Sequence, residues 1–314
     1  MQRAFRFGII NEQMADRNTW FDLVRRSEAA GFSTFLLRDH LIADVFGDQH
    51  GPIAAMAMAA AITTTLRVGS MVLANDYRHP AILAKEAATI DRLSGGRLEL
   101  GLGAGWLRAE YEQAGMVFDA AATRISRLAE AIQVLRGVWA AEPFSFAGEH
   151  YRIQALDGTP KPVQQPGPPI LIGGGKRNML TLAGRYADSV GILTTSVASG
   201  NVSDTPDERM PAAVRQKVAW VRAGAGDRFD QIELSLIPTL VLTDRRREAS
   251  EELIRRRGWV GVTVEDVWAM PSVLIGNAAQ IRADLLERRA SYGFSYYIFS
   301  DRQIDQAEGL VGAL

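Results

Sequence analysis

An aspartate and a histidine directly follow an apolar run, in the order Phe35-Leu36-Leu37-Arg38-Asp39-His40. An imidazole titrates near neutrality, and a neighbouring carboxylate or backbone group can fix its tautomer, so this pair suits acid–base work. The competing role for His40 is to close a loop's hydrogen-bond network. Glu12 ends the first apolar run and can either polarise a substrate or pair with an arginine on the rim. Two glycine runs complete the set: Gly101-Leu102-Gly103-Ala104-Gly105-Trp106 and Gly173-Gly174-Gly175-Lys176-Arg177. Without a Cβ, such backbone admits a flat or phosphorylated ligand, or relieves crowding where a buried strand turns. The first run lacks the Gly-x-Gly-x-x-Gly spacing of a dinucleotide fingerprint. In the second, amides opening a helix beside Lys176 and Arg177 attract anions, unless the two cations are merely solvated.

These residues share one place in a repeating pattern. Apolar runs that read as buried strands lie at Phe5–Ile10, Phe32–Leu37, Leu66–Leu73, Leu98–Leu102, Ile170–Gly175, Ser189–Thr194, Ile232–Leu242 and Phe294–Phe299. Helices are expected from Thr19 to Gly31 and over Ile53–Ile62, Pro80–Leu93, Arg124–Trp139, Arg177–Tyr186, Asp207–Ala223, Arg245–Arg257 and Ala278–Tyr292. Eight strands with helices between them predict an α/β fold, a (β/α)8 TIM barrel, whose reactive groups sit on loops after the strands. Glu12, Asp39, His40, Gly103–Gly105, Gly173–Gly175, Thr195 and Ser196 all follow strands. One domain over 1–314 is expected, with insertions near 140–168, where Phe144–Ile153 alternates around a glycine as a hairpin does, and near 196–206. The arginine runs at 245–247 and 255–257 read as the solvated face and end of one helix. Trp139, Trp220 and Trp268 read as packing residues.

Composition narrows the chemistry. The chain has no cysteine, which excludes disulfides, thiolate metal sites and a cysteine nucleophile. Its four histidines form no HxH or HExxH pair, so no metal is expected. A net charge of -1 gives no whole-chain attraction to nucleic acid or anionic membrane. The most apolar stretch, Ile53–Ile62, is too short to span a bilayer. No long apolar core of a signal peptide precedes the first strand, so a cytoplasmic protein is expected.

The chain resembles the luciferase-like monooxygenase family, in the branch of oxidoreductases that use the deazaflavin coenzyme F420. The resemblance rests on Arg38-Asp39-His40-Leu41, Val68–Leu73, Arg78–Glu86, Ser94–Trp106, Ile172–Gly175 and Leu274-Ile275-Gly276-Asn277. It implies a bacterial luciferase-like barrel with the coenzyme ring in its mouth and the phosphate-bearing tail running outward. Asp39 would contact the ring region, and His40 would lie near the reactive carbon as an acid/base or orienting group. Ser70-Met71 matches the position of a non-prolyl cis peptide that buttresses the ring. Ala104 and Gly105 would line the ribityl side, Gly173, Gly174, Gly175 and Lys176 would receive the phosphate, and Thr195 and Ser196 would flank the tail.

Relatives acting on sugar phosphates carry a tryptophan and a glutamate where this chain has Asp44 and Trp106, which argues against a sugar phosphate as substrate. Trp106 favours an apolar or planar substrate, or anchors its loop by packing. The resemblance therefore implies hydride transfer between the deazaflavin C5 and a small organic substrate, served by His40, Glu12 and Trp106. A homodimer is expected. FMN-dependent monooxygenation with a separate flavin reductase is the alternative, and a non-catalytic coenzyme-binding protein on the same barrel is another. A barrel lyase or isomerase using only the phosphate seat is the weakest reading.

Overall fold

The computed structural model describes residues 3–43, 47–195 and 202–312. The chain runs β1 (Arg6–Asn11), α1 (Arg17–Ala29), β2 (Thr34–Leu37), α2 (Pro52–Ala61), β3 (Arg67–Ser70), β4 (Leu73–Ala74), α3 (Pro80–Leu93), β5 (Leu98–Gly103), α4 (Arg108–Gln113) and α5 (Ala121–Trp139). A hairpin, β6 (Phe144–Ala147) and β7 (Arg152–Leu156), precedes β8 (Ile170–Gly174), α6 (Arg177–Tyr186), β9 (Ser189–Ile192), α7 (Pro211–Ala225) and β10 (Glu233–Leu236). Then come β11 (Thr239–Leu242), α8 (Arg246–Arg257), α9 (Val264–Ala269), β12 (Val273–Gly276), α10 (Ala278–Tyr292), β13 (Phe294–Ser300) and α11 (Ile304–Val311).

Parallel pairing follows the order β3-β2-β1-β13-β10-β9-β8-β5, and β3 also pairs with β5, which closes an eight-stranded barrel. The strands are buried on both faces and therefore read as continuous apolar runs rather than alternating ones. Outside them, the helices pack over a core that includes Phe35, Leu100, Leu135 and Phe299. Inside, Ile10, Leu36, Met71, Leu171, Tyr296 and Ile298 fill the barrel interior. The opposite end is closed by charge: Arg6 bridges Glu99 and Glu233 at 2.6 Å each and lies 4.2 Å from the Tyr296 ring centre. Reactive groups of such a barrel belong at the strands' C-terminal mouth.

Two segments depart from expectation. The run Ile232–Leu242 is two strands, not one: β10 joins the barrel, while β11 pairs with β12 in a separate two-stranded parallel sheet. Pro238 stands between them and has no amide to donate to a ladder. Between β10 and α10 the chain thus builds a further insertion with its own apolar core of Leu253, Trp259, Val267, Met270, Val273 and Ile275. The first helix starts earlier than Thr19, because the Asp16 carboxylate caps it by accepting from the Asn18 and Thr19 amides. Asp44 and Ser196, with most of the first part of the 196–206 insertion, lie outside the described residues.

The barrel's lower rim also carries an anion held by backbone. Glu28, on α1, accepts from the amides of Thr64, Thr65 and Leu66 at 2.7 to 3.0 Å, just before β3. Burial works against its charged form, but these donors outweigh burial and hold its pKa at about 2, against an ordinary 4.5. A depressed carboxylate contributes stability above its unfolded pKa and loses it as pH falls through the folded one. Glu28→Gln should therefore reduce stability at pH 7, and urea melts between pH 4.5 and 2 should show the variant losing less stability than the parent. A parallel decline in both proteins would mean that Glu28 is not held ionised by these amides.

Candidate active site

The mouth of the barrel holds a cavity of about 990 Å³. Its lining includes Glu12, Asp39, His40, Met71, Ala104, Gly105, Trp106, Gly173, Gly174, Gly175, Lys176 and Thr195, so most of the residues singled out in the sequence converge there. Ser196 is outside the described residues. Ser70 does not join the lining: it is fully buried, its hydroxyl donating to the Gly101 carbonyl at 2.9 Å and accepting from the Gly101 amide at 3.0 Å. Ser70 therefore supports the cavity wall without lining it.

The non-prolyl cis peptide joins Met71 to Val72, one bond later than the sequence suggests, in the break between β3 and β4. The glycines of β5 explain how the break fits. A Cβ on Gly101 would overlap the Ser70 carbonyl oxygen, and one on Gly103 would lie 2.6 Å from Val72 Cγ2. Gly105, at φ +72°, makes room for the Tyr111 hydroxyl. Crowding between protein groups thus sets the spacing of this run, although Gly103 and Gly105 also face the cavity. Across the barrel, a Cβ on Gly191 would lie 2.7 Å from Met71 Cε. Met71 packs in the inner core, and Met71 and Val72 both line the cavity.

The loop after β2 is tied down by two carboxylates. Asp39 receives both terminal nitrogens of Arg78, at 2.5 and 3.0 Å, and the Ala74 amide at 3.0 Å. Its carboxylate is thus spent on bracing β2 against β4. His40 turns Nδ1 to Glu110 Oε1 at 3.1 Å, and its ring meets Trp106 edge to face at 5.8 Å between centres. Glu110, on α4, also accepts from the Leu41 amide at 2.6 Å and the Tyr77 hydroxyl at 2.8 Å. Burial pushes its carboxyl up, but the His40, Tyr77 and Leu41 hydrogen bonds outweigh burial and hold it below its ordinary value. The Tyr77 phenol is raised well above the usual range by burial and by that carboxylate, so it stays a donor. Glu110 escapes sequence reading because Glu112 stands two residues away and nothing in the spacing tells which of the two is buried.

Glu12 takes the rim role: its carboxylate pairs with Arg38 and accepts from the Ser300 hydroxyl at 2.7 Å. Lys176 lines the cavity, whereas Arg177 faces an outer groove beside Trp220 and does not share the seat. Other cations replace it. Lys176 and Lys217 share one carboxylate, Glu208, at 2.5 and 2.6 Å. Arg209 and Arg257 likewise share Asp204. Arg256 and Arg257 line the cavity, so the end of α8 that reads as solvated in sequence is part of the mouth. Two cations on one carboxylate, twice over, leave this side of the cavity positive.

A barrel closed by parallel strands, with a broken third strand under a mouth cavity, is the frame against which known proteins are compared. Residues 5–294 match the model of the luciferase-like monooxygenase family, and the chain belongs to that family. It is similar to an FMNH2-dependent dimethylsulfone monooxygenase of Pseudomonas putida, 32% identical over 187 residues, 58% of this chain and 51% of that protein. It is also similar to an F420-dependent glucose-6-phosphate dehydrogenase of Nakamurella multipartita, 30% identical over 230 residues, 72% of this chain and 64% of that protein. The chain thus spans between half and two thirds of the length of these relatives. Among solved structures, an F420-dependent secondary alcohol dehydrogenase in complex with an F420-acetone adduct superposes with a TM-score of 0.77 at 17% identity, covering 99% of each chain, a likeness of fold. These relatives depend on FMNH2 in one case and on F420 in the other.

The wall geometry predicts a contrast between two glycines. Gly101→Ala should cost roughly 3 kcal/mol, at the upper end of overpacking penalties, because its clash is with backbone. Gly173→Ala meets only Val72 Cγ1, at 3.6 Å, and should stay within about 0.5 kcal/mol of the parent. Urea denaturation of the two variants measures both, and equal losses would contradict the proposed seating of β3 on β5.

Proposed function

We propose that this chain is an F420-dependent oxidoreductase acting on a small organic substrate, with His40 as the proton-exchanging group. The observation that carries this reading is the surplus of positive charge beside Gly173–Lys176, where Lys176, Lys217, Arg209 and Arg257 share only two carboxylates and Arg256 adds a further cation. A flavin mononucleotide needs one phosphate seat. A deazaflavin with its lactyl-glutamyl tail carries carboxylates beyond the phosphate and suits a longer cationic track. The cavity residues fit such a group: side-chain-free backbone at Gly173 for close approach, and an apolar floor at Met71 and Val72 for a flat ring.

When bound, the deazaflavin supplies a hydride carrier at C5. This chain's residues would do the rest. Trp106 walls the mouth beside His40 and favours a planar or apolar substrate over a sugar phosphate. Glu12, held by Arg38 and Ser300, places a carboxylate after β1, the strand next to that of His40. Orientation and exclusion of water are the main contributions asked of the protein in this chemistry. A homodimer in solution is part of the proposal.

The FMN reading keeps one specific support, the match to FMNH2-dependent monooxygenases. Fluorescence titration of the purified protein separates the two. F420 should bind more tightly than FMN, its affinity should fall with rising salt, and Arg256→Glu should weaken it roughly tenfold, about 1.4 kcal/mol. Tight FMN binding with no F420 binding would establish the monooxygenase alternative instead.

A further inference from the structure

Glu110 is 70 residues from His40 in sequence and is the carboxylate against its Nδ1, at 3.1 Å. With a side chain 2% exposed, it is closed off from solvent. Its oxygens also hold the Leu41 amide at 2.6 Å, the Ile42 amide at 3.5 Å and the Tyr77 hydroxyl at 2.8 Å. A carboxylate accepts hydrogen bonds and does not donate, so the neutral imidazole facing it carries its proton on Nδ1 and its lone pair on Nε2. Deprotonated carboxylates placed this way fix an imidazole's orientation and steady the imidazolium when it forms.

We infer that Glu110 is the positioning residue of His40, selecting Nε2 as the nitrogen that exchanges a proton with a substrate hydroxyl. This rests on the reading of His40 as the proton-exchanging group. In the oxidising direction the substrate carbon gives up a hydride to the oxidised deazaflavin, the hydroxyl proton passes to Nε2, and the O–H bonding pair becomes the second bond of the carbonyl. The imidazolium so formed faces the Glu110 charge. In the reducing direction each transfer runs backwards. Trp106, edge to face with the imidazole, holds the ring from the side. Among the described residues, Glu12, Arg38, Asp39, Arg108, Asp119, Arg124, Lys176, Arg209, Arg256, Arg257 and Arg302 are the other charged groups lining this cavity.

Glu110 also clamps the loop through two amides, so the test must separate charge from packing. Nitrogen-15 NMR of the coenzyme-free protein, labelled at its four histidines and assigned with His40→Asn, reports the tautomer directly. The parent should show a protonated Nδ1 and a lone-pair Nε2 at high pH. Glu110→Gln keeps an oxygen for the amides but removes the charge and can turn an N–H toward Nδ1, so the neutral ring should lose its preference for the Nδ1-protonated form. Tyr77→Phe leaves the Glu110 charge and the loop amides alone, and should keep the parent's tautomer. Loosening of a merely structural clamp would change both variants the same way, and that result, an unchanged tautomer in Glu110→Gln, or an Nε2-protonated parent would overturn the assignment. Because no coenzyme is present, failure of F420 to bind would leave these spectra as they are and would count against the functional reading alone.

Discussion

The cavity exists because β3 breaks at Met71–Val72 and β5 has no side chains where the break lands. Gly101 admits the Ser70 carbonyl and Gly103 admits Val72, so two strands that pair at Val68–Leu98 can splay and re-pair at Leu73–Leu102 without opening the barrel. Met71 packs on the inner core against Gly191, and Met71 and Val72 line the cavity. An alanine in place of either β5 glycine would push the break outward. The depth of the site is therefore set by the barrel wall, before any functional side chain is considered.

Around that cavity, charge is sorted by burial. Two buried carboxylates hold several partners each: Asp39 takes Arg78 and the Ala74 amide, and Glu110 takes His40, Tyr77 and the Leu41 amide. A buried charge with this many partners resists neutralisation and fixes the groups that hold it. On the rim the balance reverses, and pairs of cations share single carboxylates at Glu208 and Asp204. The site thus offers an anchored imidazole at one end and an anion-attracting track at the other, an arrangement that suits a long anionic coenzyme with its reactive ring inward.

Much of this was legible in the chain. Eight apolar runs predict the barrel, and polar or glycine residues after them predict the mouth, because parallel strands buried on both faces leave only their ends for chemistry. Helices Pro80–Leu93, Arg177–Tyr186 and Ala278–Tyr292 coincide with expectation to the residue. What escaped depends on contacts distant in sequence. Nothing local distinguishes Glu110 from Glu112, or shows that Arg256 turns to the mouth while Arg177 turns away. The seventh strand was overrun because Ile232–Leu242 is apolar throughout, and only Pro238 marks the point where the chain leaves the barrel. Of the two readings open for the glycine run at the end of β5, its spacing answers first to crowding, at Ser70, Val72 and Tyr111, while Gly103 and Gly105 also line the cavity.

The central claim is that the break in β3 is the seat of the coenzyme ring. A crystal structure of the protein with F420 tests it most directly. The ring should lie on the Met71–Val72 backbone between His40 and Gly173, with its tail passing Lys176 toward Arg256. A ring bound elsewhere, or a tail directed away from that cationic rim, would contradict the account.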